Sequence, residues 1–406
     1  MSDCCDSNPQ PCGCDCGGAN LTRAERAASP CVWFGHMIQN CLEWATEAKS
    51  QGRPIVCIMC EYTPRELIMA AGGLPVCLCG GAAETIPSAE RELPANLCPL
   101  IKSTFGYHVE QSNPFLQIAD LIVGETTCDG KKKMFELLAE HHPMHVLELP
   151  QKSKDADSFA RWMLELERFK QQLEERFGVE ITKDKLREAI GVMNRDRRLR
   201  RELAELMRAD RPPMTGRQLL NLRSTIAGVP DDLEQYEKAL EVLRAKSAAG
   251  EGVDGVRVLM TGVPMVHGAE RVVEIIESAG GLVVASENCS GLKPIADDVD
   301  ESADDPMRAL AEKYYRLPCS VMTPNDDRFD LIRQLVADYR PECVVELVWQ
   351  ACLTYDVEAN RVKRLVEDEL GLPYLHIETD YSPSDSARIG VRVEALFETV
   401  RDKDHS

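Results

Sequence analysis

Six cysteines form two triplets, Cys60/Cys98/Cys128 and Cys289/Cys319/Cys352, spaced by 38 and 30 residues in the first and by 30 and 33 in the second. Spacings this long place each cysteine on a different secondary-structure element, so the thiolates can meet only through the tertiary fold, unlike those of a local zinc knuckle. Thiolates select zinc or iron-sulfur clusters over hard ions, and three cysteines per half without histidine in the set suit iron-sulfur ligation better than catalytic zinc. Cys128-Asp-Gly-Lys-Lys-Lys133 opens a predicted helix, where N-terminal amides and positive charge stabilise anionic sulfur. The competing reading of Lys131 to Lys133 is a solvated helix face. Cys57, Cys77, Cys79 and Cys343 lie in apolar runs and are read as core packing, and Cys57-x-x-Cys60 lacks the helix-opening context of a redox motif. Glu61, Lys102, Tyr107 and His108 stand close to ligand candidates in sequence and are read as structural.

The elements that must carry these cysteines follow an α/β rhythm. Pro54 to Met59, Leu74 to Cys79, Ile118 to Gly124 and His145 to Leu149 read as buried strands, with helices over Pro64 to Ala71 and Lys131 to Glu140. From Asp155 to about Ala249 the pattern turns helical, with Phe159, Trp162, Leu166, Phe169, Leu173 and Phe177 at helical spacing and breaks near Gly178, Pro212-Pro213 and Pro230. Strands then resume at Val256 to Thr261, Leu282 to Ala285, Cys343 to Val348 and Tyr374 to Ile377, with a helix over Glu270 to Ser278. Ser278-Ala-Gly-Gly-Leu-Val-Val284 echoes Ala70-Ala-Gly-Gly-Leu-Pro-Val76, a weak internal repeat. The expected fold is α/β: two doubly wound, Rossmann-like or flavodoxin-like parallel-sheet domains joined by a helical segment. The expected divisions are a flexible Cys-rich tail over 1–20, a helical region and first α/β domain over 21–154, a helical connector over 155–250 and a second α/β domain over 251–400. In open parallel sheets the site lies beyond the carboxyl ends of the strands. Cys60, Cys128, Cys289 and Cys352 each follow a strand, and Cys98 and Cys319 lie in Pro-flanked loops.

Composition narrows the function. A chain of 406 residues, 44% apolar, can bury more than one core. Its net charge of -20 and 5% aromatics argue against a nucleic-acid role, and the most apolar stretch, Leu67 to Ala83, is too interrupted by glycine and proline to span a membrane. Met1 to Ala19 shows no basic segment followed by an apolar one, so a reducing, cytoplasmic compartment is expected despite 17 cysteines. The tail cysteines Cys12, Cys14 and Cys16 are at most an accessory metal site.

Cys60-Glu-Tyr-Thr-Pro-Arg-Glu-Leu-Ile-Met-Ala-Ala-Gly-Gly-Leu-Pro-Val76, Thr127-Cys-Asp-Gly-Lys-Lys-Lys-Met134 and Gly371-Leu-Pro-Tyr-Leu-His-Ile-Glu-Thr-Asp-Tyr381 resemble the 2-hydroxyacyl-CoA dehydratase and benzoyl-CoA reductase superfamily. Within it the chain is most similar to the double-cubane cluster proteins, homodimeric relatives of the heterodimeric dehydratases. The resemblance implies an [8Fe-9S] double-cubane cluster, three cysteines on each cubane, held by Cys60, Cys98, Cys128, Cys289, Cys319 and Cys352. It also implies an ATP-dependent reductase of small molecules, fed electrons at low potential by a separate iron-sulfur ATPase. This chain has no G-x-x-x-x-G-K-[ST] run of its own. The alternatives are a 2-hydroxyacyl-CoA dehydratase subunit with a [4Fe-4S] cluster and a non-catalytic electron or cluster carrier.

Overall fold

The computed structural model describes residues 21–404, so the expected Cys-rich tail over 1–20 lies outside the described residues. Short runs buried on every residue build the sheet centres: β1 (Ile55–Ile58) and β3 (Leu121–Glu125) in the first half, β7 (Cys343–Trp349) in the second. Such uniformly apolar strands suit a parallel sheet covered on both faces. With β2 (Leu74–Cys77) and β4 (Met144–Leu147), the first sheet has the order β2-β1-β3-β4, all parallel. With β5 (Val256–Gly262), β6 (Gly281–Ser286) and β8 (Tyr374–Thr379), the second repeats it as β6-β5-β7-β8. The expected pair of Rossmann-like sheets is therefore present. In each, chain order reverses between the two central strands, β1 and β3 or β5 and β7, and loops diverge there to leave a crevice.

Three local differences from the sequence reading have physical causes. β2 ends at Cys77, so Cys79 leaves the ladder; the Cys77 amide donates instead to the Thr225 carbonyl of the connector, 2.9 Å away. Residues Pro114–Ile118 form a short helix capped by the Asn113 side chain, so the third strand starts later than expected. Pro230 opens helix Pro230–Ala248 at its first position, where a missing N–H costs nothing, and does not break it.

The connector does more than join. Helix Ala156–Phe177 buries Trp162, Leu166, Phe169 and Leu173 in one cluster with Val56, Ile58 and Val123 of the first sheet and Leu310 and Ala311 of the second half. The Trp162 indole donates to the Ala311 carbonyl, 3.2 Å away. On the other face of the first sheet, Ile55, Cys57 and Ile122 share a core with Val258, Val345 and Leu347 of the second. The halves also touch through backbone: the Tyr381 hydroxyl donates to the Gly80 carbonyl at 3.1 Å, and a methyl group on Gly81 would overlap the His267 carbonyl. Among the described residues no helix is long and apolar enough to cross a membrane. Because Gly81 has no positive φ, Gly81→Ala probes this close approach alone. It is expected to lower the unfolding free energy by about 1–3 kcal/mol, with urea unfolding as the check.

Candidate metal centre

All six cysteines are free thiols, Cys98 buried and the other five half-buried. The fold sorts them into two sets that ignore the halves. In one, Cys60 of the first half meets Cys289 and Cys319 of the second: Cys60 and Cys289 each feel the charge of Cys319, and Tyr62 feels all three. In the other, Cys98 and Cys128 of the first half meet Cys352 of the second: Cys98 and Cys352 act strongly on each other, Cys98 feels Cys128, and Cys128 feels Cys352.

Local structure explains the second set. Cys98, Cys128 and Cys352 are each the N-cap of a helix, Pro99–Glu110, Asp129–Ala139 and Leu353–Arg364. First-turn amides lie near enough to favour each thiolate, Leu100 and Ile101 for Cys98, Gly130 and Lys131 for Cys128 and Tyr355 for Cys352, although none of the three thiols makes a side-chain cap hydrogen bond. Three helix N-termini thus aim free donors and the positive ends of their dipoles at the sulfurs.

The first set is held by loops locked across the halves. The Tyr62 hydroxyl donates to the Leu317 carbonyl at 2.7 Å, fixing the Cys60 loop against the Cys319 loop. Ser320 bonds Thr354 at 2.9 Å, tying the Cys319 loop to the Cys352 helix. Behind Cys289, Glu287 has no exposed surface; it gathers Lys293 at 2.8 Å, Arg328 at 3.3 Å and the Thr261 hydroxyl at 2.7 Å. Burial works against this carboxylate, but Lys293 and Arg328 win and hold it down at about 2. Arg328 also reaches Glu346 at 3.0 Å and Glu358 at 2.6 Å and lies over the Tyr355 ring. One buried guanidinium therefore braces the β5 and β7 ends and the helix that follows Cys352.

Positive charge completes the arrangement. Lys131, read from sequence as either a sulfur-stabilising group or part of a solvated face, is 9% exposed and donates to the Met59 carbonyl at 2.6 Å, whereas Lys132 and Lys133 point outward to Asp129 and Glu136. Burial pulls the Lys131 ammonium down, but Cys60, Cys79, Glu125 and Cys128 raise it overall, so it spans the two sets. Lys293 does the same for Cys289 and Cys319. Burial pushes the free Cys60 thiol up to about 12 and Cys289 well above its ordinary range, while the partnership of Cys98 and Cys352 raises Cys352 and lowers Cys98. Bound metal removes that penalty by deprotonating its thiols outright. Among the described residues no three donors converge on a point able to hold one metal ion. Two triads of separated thiols, Cys98 buried and the others half-buried, with lysines and helix N-termini near them, fit iron-sulfur cubanes, in which each thiolate would bond a different iron.

Residues 60–400, a span that takes in all six cysteines, match the family model described as 2-hydroxyglutaryl-CoA dehydratase, D-component. The chain belongs to this family. Among its relatives, YjiM of Escherichia coli (strain K12), named provisionally as a dehydratase subunit, is 42% identical over 87% of this chain and 93% of its own. The (R)-phenyllactyl-CoA dehydratase beta subunit of Clostridium sporogenes is 23% identical over 90% and 97%, and a benzoyl-CoA reductase component of Thauera aromatica 23% over 68% and 72%.

The remaining candidates of this D-component family member separate by position. A cavity of about 190 Å³ has Cys60 and Cys289 in its wall. Glu61 lines it too, paired with Arg65 at 2.8 and 2.9 Å. Lys102 is engaged with Glu90 and the Ala95 carbonyl, and His108 with His142, both away from that wall; Tyr107 is not part of it either. Cys57 and Cys343 are core residues as expected. Cys77 and Cys79 are not: both are half-buried and line the cavity, because the strand ends between them. The Cys79 thiol donates to the Met59 carbonyl at 3.3 Å, and its hydrogen-bonding partnership with Cys77 brings Cys77 down to about 7. The signal available in sequence is the Cys-Leu-Cys-Gly-Gly run, whose paired glycines mark a loop.

Two substitutions and a labelling experiment probe this arrangement. Arg328→Met leaves Glu287 and Glu346 without their shared cation and is expected to cost about 3–5 kcal/mol in chemical denaturation. In iron-free protein, alkylation of Cys77 by iodoacetamide should rise as pH passes about 7 while Cys57, held far higher by burial, stays unmodified. Cys79→Ala should move that rise to higher pH; peptide mass mapping reads both.

Proposed function

We propose that this chain is an iron-sulfur reductase whose Cys60, Cys289 and Cys319 hold one cubane, and Cys98, Cys128 and Cys352 the other, of a single [8Fe-9S] cluster. The observation that carries it is the two thiol triads, each drawn from both halves and bridged by buried Lys131. When bound, such a cluster supplies electrons singly at low potential. The chain's own residues do the rest. Helix N-termini and the buried lysines offset the thiolate charge, Tyr62 ties the Cys60 and Cys319 loops across the halves, Ser320 ties the Cys319 loop to the Cys352 helix within the second half, and the cavity holds a small molecule beside Cys60 and Cys289. Electrons come from a separate iron-sulfur ATPase acting on a homodimer of this chain, with the coupling nucleotide bound on that partner.

The names of the relatives favour a second reading, a dehydratase subunit acting on a CoA thioester with a [4Fe-4S] cluster. That reading needs one triad only. Anaerobic purification followed by iron and sulfide analysis separates the two: about eight irons per chain are expected, with Cys289→Ser and Cys319→Ser each lowering iron content and bleaching the visible spectrum. Four irons, unaffected by either substitution, would favour the dehydratase.

A further inference from the structure

The cavity beside Cys60 and Cys289 has a charge imbalance at odds with the acidity of the whole chain. Most of its cations are matched: Arg65 by Glu61 at 2.8 Å, Arg197 by Glu66 at 2.5 Å, Arg200 by Asp196 at 3.4 Å and Arg223 by Glu270 at 2.5 Å. Two lysines on the wall are not. Lys131 and Lys313 are each 9% exposed, each ammonium donates to one backbone carbonyl, Met59 at 2.6 Å and Pro294 at 3.1 Å, and among the described residues neither forms an ion pair with a carboxylate. An ammonium has three donors, so two remain on each.

Their surroundings differ. Lys131 is committed to the sulfurs, since Cys60, Cys79 and Cys128 act on it directly. The charges that act most on Lys313 are Arg197, Asp297, Glu66 and Glu61, none of them a thiol. Charge compensation of a cluster therefore accounts for the first lysine and leaves the second over. Burying an ammonium beside Arg197 with no carboxylate in ion-pair contact is costly, and an anion delivered into the cavity offsets that cost. Lys313 also stands in the wall of an outer cleft of about 540 Å³ of mixed charge, where Lys154 and Arg208 are paired with Asp327 and Asp338, so the route in is open to an anion without being cationic as a whole.

Size narrows the class. The inner cavity, about 190 Å³, lies below the roughly 300–1,000 Å³ of pockets that enclose drug-sized ligands. A carboxylate or oxyanion of a few heavy atoms fits within it, whereas a coenzyme A thioester would extend out of it. We propose that the cavity receives a small free anion, a short carboxylate or an inorganic oxyanion, with Lys313 as its charge anchor. The inference rests on the reductase reading for what happens to that anion, though not for its binding.

Isothermal titration of anaerobically purified, full-length protein with acetate, succinate, nitrate and phosphate tests it, with acetyl-CoA as competitor. At least one small anion should bind, Lys313→Met should weaken it tenfold or more, Lys313→Arg should stay within about threefold of the original, and acetyl-CoA should not displace it. Acetate or succinate binding identifies the organic class, nitrate or phosphate the inorganic one. If Lys313→Met does not fold, protection of Lys313 from acetic anhydride by the same anions, mapped by mass spectrometry on the unaltered protein, gives the answer. Absence of binding, equal binding by folded Lys313→Met, no protection, or displacement by acetyl-CoA overturns the proposal. Iron content of each sample keeps the two readings apart: Lys313-dependent binding with four irons retires the double cluster alone, and eight irons without such binding retires the anion site alone.

Discussion

The constraint on which this structure turns is the gathering of six partly buried thiols from both halves of the chain. Burial pushes the Cys60, Cys128 and Cys289 thiols up, and thiolates side by side repel one another. The fold answers with two different sources of positive potential. Around Cys98, Cys128 and Cys352 it is backbone, in the form of three helix N-termini. Around Cys60, Cys289 and Cys319 it is side chains, chiefly Lys131 and Lys293, the second held by Glu287 and Arg328. Neither source belongs to one half of the chain, so the halves must dock before the site exists.

That requirement explains features that a binding loop alone would not need. The shared core of Ile55, Cys57, Val258 and Leu347, the Tyr62 to Leu317 bond, and the tight passage of Gly81 past His267 all fix one sheet against the other. Helix Ala156–Phe177 adds a clamp, since Trp162 touches both halves at once. The connector is thereby part of the scaffold that sets the distance between triads, and the cavity wall includes its Arg197 and Arg200.

What can be read from sequence divides along a physical line. Strands covered on both faces announce themselves as apolar runs, so β1, β5 and β7 are legible within a residue or so, and cysteines at their ends follow. The sorting of thiols into triads is not legible, because spacing along the chain carries no information on which loops of two facing sheets meet. Lys131 reads like Lys132 and Lys133 until the helix phase is known; only then does one of the three turn inward. Lys293 and Lys313 carry no signal of their own, since a lone lysine in sequence is ordinarily a surface residue. Cys79 reads as core because the apolar run continues past the end of the ladder at Cys77.

Whether thiols of both halves hold one compact cluster is tested most directly by anomalous diffraction at the iron edge, from anaerobically grown crystals of the full chain. A shared cluster requires a single group of about eight iron sites lying between the two triads, with Cys289 and Cys319 bonded to iron on the same side as Cys60. Iron confined to the neighbourhood of one triad, or bonded only to cysteines of the first half, would contradict it.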